Sequence, residues 1–323
     1  MNYTIGMDVG GTKIFSILID ENNQVLATSK KKTKKGSPDV MLERIYSSFT
    51  DLISQSQVPV KAIQGIGLGF PGPLDPQTGM VFEATNLPEW NHFPLAEKVT
   101  EMCSIPAFLD NDVNLGTLGE ALAGAGHGAQ NVIGIFLGTG VGGGIVLGGQ
   151  LFHGRSGTAG EIGHMIIHHM GRKSPRNLRG SVEGLTSRTA VVKRIKDKVL
   201  KGSDSTLKSI IQRGEPIKSR PIADAYRAND KVVVSVLDET AEYVGITVGS
   251  VANLLAPDVI VLGGGLIEAV PEAILPKARE IAQKMVIPST WEHLKIEPAE
   301  LGDLSGSMGG AILARQKIHS TLI

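Results

Sequence analysis

One arrangement occurs twice in this chain and constrains everything around it: an apolar strand, a turn of glycine and threonine, and a second strand. The first copy is Tyr3-Thr-Ile-Gly-Met-Asp8-Val-Gly-Gly-Thr-Lys-Ile14. Ile5, Met7 and Val9 alternate along a buried strand, and Gly10-Gly11 permits backbone angles closed to other residues. Without Cβ atoms, the N–H groups of such a turn approach an oxyanion closely and form a nest for phosphate. A Gly-Gly pair alone reads as an ordinary hairpin. Asp8 before it and Thr12-Lys13 after it turn the reading towards phosphate. Thr12 adds a hydroxyl, Lys13 a positive charge, and Asp8 a carboxylate at the strand end suited to a hydrated magnesium ion. The second copy runs from a strand at 131–137 through Gly138-Thr-Gly-Val-Gly-Gly-Gly144 into a strand at 145–147. Residue identity between the copies is too low for a sequence repeat. The similarity is architectural and points to a duplicated fold with a cleft between its halves.

The rest of the chain supplies strands first and helices later. Residues 3–9, 13–20 and 24–30 read as a three-stranded meander. Residues 38–55 form an amphipathic helix with Ser37 as its cap and a stripe of Val40, Met41, Ile45, Phe49, Leu52 and Ile53. A strand at 62–70 ends in Pro71-Gly72-Pro73, and a loop passes through Asn86-Leu-Pro-Glu-Trp90 to a short helix, 95–103. A strand at 106–109 ends in Asp110-Asn111-Asp112, which opens a helix at 113–123. Residues 154–181 read as a glycine- and charge-rich loop, 182–256 as mostly helical, and 307–318 as a last helix. Between them, a strand at 258–262 runs into Gly263-Gly-Gly265 and a helix follows from about Pro271, an order that offers backbone amides to a nucleotide.

Charge excludes several partners. The 323 residues, enough for two domains, carry 32 basic and 32 acidic side chains, so no net field draws the chain to nucleic acid or an anionic membrane. The run Lys30-Lys31-Lys32 with Lys34-Lys35 reads as a solvated edge. No apolar run has membrane-spanning length, and a strand beginning at residue 3 leaves no room for a signal peptide. A cytoplasmic location is expected. The single cysteine, Cys103, excludes an intrachain disulfide and a zinc site built from cysteines.

Six segments, taken in order, resemble kinases of the ROK (repressor, open reading frame, kinase) family, and the resemblance covers essentially the whole chain. Asp8-Val-Gly-Gly-Thr-Lys13 is similar to the family's first phosphate loop, and Gly69-Phe-Pro-Gly-Pro73 to its sugar-side turn. Asn111-Asp112-Val-Asn114 with Gly119-Glu120 is similar to the catalytic segment, and Gly138-Thr-Gly-Val-Gly-Gly143 to the second phosphate loop. Gly160-Glu-Ile-Gly-His164 is similar to the sugar-binding segment and Gly263-Gly-Gly265 to the adenosine-side turn. The resemblance implies an α/β fold of two ribonuclease-H-like lobes around a cleft, as in actin-like ATPases and sugar kinases. Residues 1–117 plus 304–323 would form the smaller lobe and 118–303 the larger. It implies transfer of the γ-phosphate of Mg-ATP to the terminal hydroxyl of a hexose, with lobe closure excluding water.

The implied roles follow residue by residue. Asp112 is the general base. Asn86, Asn111, Asp112, Glu161, His164 and Glu183 contact the sugar. Gly10, Gly11, Thr12, Lys13, Gly138, Thr139, Gly140, Gly142, Gly264 and Gly265 hold ATP, and Asp8 positions Mg2+ through water. Read locally, Asp112 is equally a helix cap; at a helix start the dipole favours its ionised form.

One departure stands out. Many ROK kinases follow the Glu-x-Gly-His segment with Cys-x-Cys-Gly-x-x-Gly-Cys, which binds structural zinc together with the histidine. Here Ser174, Arg176 and Ser181 stand at those positions, so no structural zinc is expected. His164 then needs another partner to fix its tautomer, and residues 170–181 need hydrogen bonds and salt bridges in place of metal. His168 and His169 read as exposed histidines before they read as a different metal site. The segments at 111–120 and 86–90 are most similar to glucokinase-type members, which makes glucose the leading substrate. Fructose, mannose, N-acetylglucosamine and N-acetylmannosamine keep the mechanism and differ in pocket shape. Polyphosphate stays open as an alternative donor. The resemblance also implies a homo-oligomer, a dimer or tetramer. A sugar-sensing repressor would carry a helix-turn-helix before the first motif, where only seven residues precede Asp8. A pseudoenzyme would not need Asp8, Lys13, Asp112, Glu161 and His164 together.

Overall fold

The computed structural model describes residues 2–33, 37–82, 90–174 and 177–321. The chain begins with β1 (Tyr3–Val9), β2 (Lys13–Ile19), β3 (Val25–Lys32), α1 (Pro38–Ser56), β4 (Ile63–Phe70), β5 (Leu74–Asp75), β6 (Met80–Val81), α2 (Leu95–Cys103), β7 (Ala107–Asn111) and α3 (Asp112–Ala123). It continues with β8 (Val132–Leu137), β9 (Val141–Leu147), β10 (Gln150–Leu151), α4 (Val182–Thr186), α5 (Arg188–Leu200), α6 (Lys208–Gln212), α7 (Ser219–Arg227) and α8 (Lys231–Leu255). Last come β11 (Val259–Gly263), α9 (Gly265–Ala269), α10 (Pro271–Met285), α11 (Pro288–Trp291), β12 (Lys295–Pro298) and α12 (Ser305–Thr321).

Two five-stranded sheets share one plan. Their orders are β3-β2-β1-β4-β7 and β10-β9-β8-β11-β12. In the first, β1, β2 and β3 pair antiparallel, while β4 and β7 add parallel to β1. In the second, β10 pairs antiparallel with β9, and β11 runs parallel to both β8 and β12. The architectural duplication read from the two glycine turns is therefore present as topology.

Strand alternation places the functional residues. On β1, Ile5, Met7 and Val9 are buried in the core with Ile66, Leu68 and Phe70 of β4, beneath Met41, Ile45, Phe49 and Leu52 of α1. The other face of the same strands carries Gly6 and Asp8 opposite Gly67 and Gly69. α12 lies directly on that glycine face: a Cβ at Gly6 would overlap the Ser307 carbonyl, and one at Gly67 the Gly310 carbonyl. The missing side chains thus bring the start of α12 up to Asp8, and a Cβ at Gly306 would sit 3.3 Å from the Asp8 Cγ. Ser37 precedes α1 as expected, but its side chain makes no capping bond.

The chain divides into two compact units, Met1–Gln130 with Gly144–Gly160 and Glu300–Ile323, and Asn131–Gly143 with Glu161–Ala299. These boundaries differ from the expected 117/118 and 303/304, and the first unit is not the smaller. Long-range contacts explain the shift. α3 packs against α12 along its length, and Gly144 abuts Thr117. The fully buried Glu120 holds the N–H groups of Glu300 and Leu301 at 3.0 and 2.8 Å.

Candidate active site

In the first unit, parallel pairing aligns Asp8 with Gly69 and Gly69 with Asp110, so the carboxyl ends of β1, β4 and β7 lie side by side. Ligands of parallel α/β sheets bind outside such ends. The Gly10–Lys13 turn leaves β1 there. It closes with a 2.9 Å bond from the Gly10 N–H to the Lys13 carbonyl, and Thr33 braces it through bonds to the Gly10 and Thr12 carbonyls. A Cβ at Gly11 would meet nothing within 4 Å, so the turn opens onto empty space. Lys13 Nζ lies 2.5 Å from Asp303 Oδ1, and Lys30 approaches Asp303 Oδ2 at 3.5 Å. Lys31 pairs with Asp51. Two of the lysines read as a solvated edge are thus paired with acids; Lys34 and Lys35 lie outside the described residues.

Asn111, not Asp112, caps α3. Asn111 Oδ1 accepts from Val113 N at 2.9 Å and Asn114 N at 3.3 Å, which leaves its Nδ2 to donate elsewhere. Asp112 Oδ1 accepts from Val113 N at 3.0 Å. The helix dipole does not dominate Asp112, as local reading had expected: burial pushes its carboxyl above the usual range, and the Val113 N–H only partly offsets this. Asp8 is pushed up to about 6, first by burial and then by the Asp112 charge, against the pull of Lys13. Asp110 is fully buried. Its Oδ1 accepts from Asn111 N at 2.8 Å and Asn114 Nδ2 at 2.9 Å, and its Oδ2 lies 2.6 Å from His153 Nε2. The sequence reading missed Asp110, His153 and Asp303. Asp110 sits in an Asp-Asn-Asp run that looks like a turn, and both partners are remote in sequence.

The second unit gathers its predicted residues around the other turn. The Gly138 N–H donates to the Gly140 carbonyl at 2.9 Å, so the tight turn spans 138–140 and β9 has already begun at Gly142. Glu183 Oε2 accepts from Val141 N at 3.2 Å; Glu183 braces this turn, a contact not foreseen. Arg188 Nη2 donates to Thr139 Oγ1 at 2.8 Å and Thr189 Oγ1 to the Thr139 carbonyl at 2.7 Å. Gly163 lies against the Val141 carbonyl, and a Cβ at Gly264 would crowd the Leu137 backbone. The 160–164 and 263–265 segments therefore converge on the same turn. Gly265 neighbours Ser219, whose buried Oγ has no hydrogen-bond partner. Glu161 Oε2 lies 3.5 Å from His164 Nε2, a contact between two partly exposed side chains.

The cysteine-less stretch forms a small hydrogen-bonded hairpin. Lys173 bridges to Arg179 and Ile166 to Ser181. The Ser174 N–H donates to the Leu178 carbonyl at 2.8 Å, Ser174 Oγ accepts from Leu178 N, and Ser181 Oγ caps α4 through Gly184 N. Arg172 pairs with Asp197 at 2.8 Å, and His168 stacks on Tyr243. Arg176 and Asn86 lie outside the described residues. Burial pushes the Cys103 thiol up to about 12, which makes it inert.

Two sheets of one topology, each with a glycine turn at its strand ends, define the actin-like, ribonuclease-H-like ATPase fold. The chain belongs to the ROK family, whose sequence model matches residues 4–317. It is 32% identical to a glucokinase of Halalkalibacterium halodurans over 98% of this chain and 96% of that protein. It is 31% identical to a xylose repressor of Caldicellulosiruptor bescii over 94% of this chain and 76% of that protein. The crystal structure of a ROK family glucokinase from Streptomyces griseus, in complex with glucose and AMPPNP, is 31% identical with a TM-score of 0.80 and covers 98% of this chain and all of that one.

Proposed function

We propose that the protein is an ATP-dependent sugar kinase that phosphorylates the terminal hydroxyl of glucose. The observation that carries the reading is the Asp112 carboxylate, buried at the start of α3 beside Asp8 and in the same unit as the open Gly10–Lys13 turn. A base whose pKa burial raises accepts a proton more readily. The hydroxyl proton passes to Asp112 as the sugar oxygen bonds the γ-phosphorus, and the bond from that phosphorus to the ADP oxygen breaks. Asn111 donates through Nδ2 to a neighbouring hydroxyl. In the second unit Glu161, His164 and Glu183 take the sugar-contact roles that the resemblance implies, and Gly138–Gly142 with Gly264 and Gly265 the nucleotide roles. The bridged Glu183 would exchange its Val141 contact for a hydroxyl. Asn86 keeps its implied sugar role.

The donor set suits the cofactor. Asp8, Asp112 and Asp303 outnumber Lys13 and Lys30 as charges around one turn, and Asp8, pushed up first by burial and then by Asp112, is reluctant to ionise. Among the described residues no three or more His, Cys, Asp or Glu side chains are arranged to hold a metal ion. Magnesium needs no such cage, because it keeps waters and is held by one or two carboxylates plus phosphates. When bound through water at Asp8, it supplies positive charge for the phosphate oxygens. The orphan Ser219 hydroxyl beside Gly265 is a ready donor to a nucleotide. We also propose a cytoplasmic homo-oligomer, which light scattering tests; no helix among the described residues is long and apolar enough to cross a membrane.

A coupled ADP-release assay with Mg-ATP tests the function against glucose, mannose, fructose, N-acetylglucosamine and N-acetylmannosamine. Preference for glucose is the expected result. Preference for an acylated amino sugar moves the substrate and keeps the mechanism, and absence of turnover with every sugar overturns the kinase reading.

A further inference from the structure

The second glycine turn carries no cation of its own. Gly138-Thr-Gly-Val-Gly-Gly-Gly144 has no counterpart of Lys13, and in the first turn the charge of Lys13 is matched by Asp303. The fold brings a cation to the second turn from the start of α5. Three bonds seat residues 188 and 189 on residues 138 and 139. The Arg188 N–H donates to the Gly138 carbonyl at 3.0 Å, Thr189 Oγ1 to the Thr139 carbonyl at 2.7 Å, and Arg188 Nη2 to Thr139 Oγ1 at 2.8 Å. Ser187 Oγ accepts from Ala190 N at 3.1 Å and fixes the backbone on the other side of Arg188. The partly buried guanidinium is thus tied to the turn at its tip as well as through its backbone, and Nη1 and Nε have no partner among the described residues. No Asp or Glu among those residues pairs with it; Glu183, the acid at this turn, accepts from Val141 N instead. An oriented fork with an unmatched charge suits phosphate, whose oxygens a guanidinium binds through two parallel N–H groups. Thr139 Oγ1 accepts from Arg188, so its own O–H remains to donate to the same anion.

We propose that Arg188 binds the phosphoanhydride chain of the phosphoryl donor at the second glycine turn, together with the Thr139 hydroxyl. The inference rests on the kinase reading and deepens it: Arg188 lies outside all six matched segments and supplies the positive charge that the second turn lacks. A nucleotide and inorganic polyphosphate share the recognised group. The charge discriminates among ligands, because a phosphate chain gains from it and a bare nucleoside does not.

The test is calorimetric titration of the full chain, without sugar, with ADP, with inorganic tripolyphosphate and with adenosine. Wild type is compared with Arg188→Gln and Arg188→Lys. The Arg188 side chain makes one hydrogen bond, to the exposed Thr139, so the unliganded Tm of both variants should match that of wild type. The proposal expects ADP affinity to fall about tenfold or more in Arg188→Gln, the scale of a lost charge-assisted hydrogen bond. Arg188→Lys keeps the charge without the fork and should lose less. Adenosine should behave alike with wild type and Arg188→Gln. Tripolyphosphate weakened in parallel with ADP upholds the site and admits polyphosphate as a donor; tripolyphosphate that fails to bind while ADP weakens upholds it and selects the nucleotide. Unchanged ADP affinity in Arg188→Gln, equal weakening of ADP and adenosine, or a variant that melts far below wild type overturns the role of Arg188 and leaves the kinase reading standing. Failure of both ADP and tripolyphosphate to bind wild type overturns both.

Discussion

Replacing Asp8 with asparagine removes a charge that the fold opposes. The Asp8 carboxyl rises from 3.8 to about 6, mainly through burial and then through Asp112. The folded chain therefore holds this proton more tightly than the unfolded chain does. The resulting stability is fully present below the unfolded value and is lost as pH rises through about 6. A shift of about two units, at roughly 1.36 kcal/mol each, puts the cost of the ionised Asp8 at about 3 kcal/mol, an upper value for a half-buried group. Asparagine has the same shape and no charge to bury. Without magnesium, wild type and Asp8→Asn should match in stability near pH 4, and the variant should lead by about 2 kcal/mol at pH 7, several degrees in Tm. Mg-ATP should invert the order by stabilising wild type alone, and sugar phosphorylation should be lost in the variant. Thermal unfolding across pH 4 to 8, with and without Mg-ATP, reads all of this. Parallel pH curves for the two proteins, or a variant less stable at pH 8 without magnesium, would refute the reasoning.

Other outcomes are equally definite. Asp112→Asn should lower kcat by about 100-fold or more, the scale of general-base effects, with sugar KM much less changed; near-normal turnover removes Asp112 from that role. Gly67→Ala drives a Cβ into the Gly310 carbonyl and should cost about 3 kcal/mol, seen as a lower Tm, since α12 cannot lift from β4 without losing its seat. Glu120→Gln leaves one of the N–H groups of Ala125, Glu300 and Leu301 without an acceptor and should destabilise by about 2 kcal/mol in denaturant unfolding. Elemental analysis should find zinc well below one equivalent, with Tm indifferent to chelator, because the 170–181 hairpin has its own hydrogen bonds; stoichiometric zinc sinks that account.

Much of this was legible in the sequence because the signals are local. Gly10-Gly11 and Gly138–Gly140 announce their turns by composition, the β1 alternation puts Asp8 opposite the Ile5–Met7–Val9 face, and α1 shows its stripe. What escaped depends on residues distant in the chain. Asp303 meets Lys13, His153 meets Asp110, and Glu120 draws residues 300 and 301 into the first unit, none of which has a sequence pattern. β12 escaped because four residues, Lys295–Pro298, with one buried side chain and a proline, carry no alternation to read. Asn111 was read for its chemistry, and its capping bonds appear only once α3 is folded. Asp112 was expected to follow the helix dipole, but burial outweighs it.

The central claim is transfer of the ATP γ-phosphate to a sugar oxygen by a base at Asp112. The most direct measurement is 31P NMR of the protein with Mg-ATP and glucose, beside the Asp112→Asn variant. The account predicts a growing sugar phosphomonoester signal matched by ADP in the wild type and near silence in the variant. Formation of inorganic phosphate without the ester, or equal ester formation in both proteins, would contradict it.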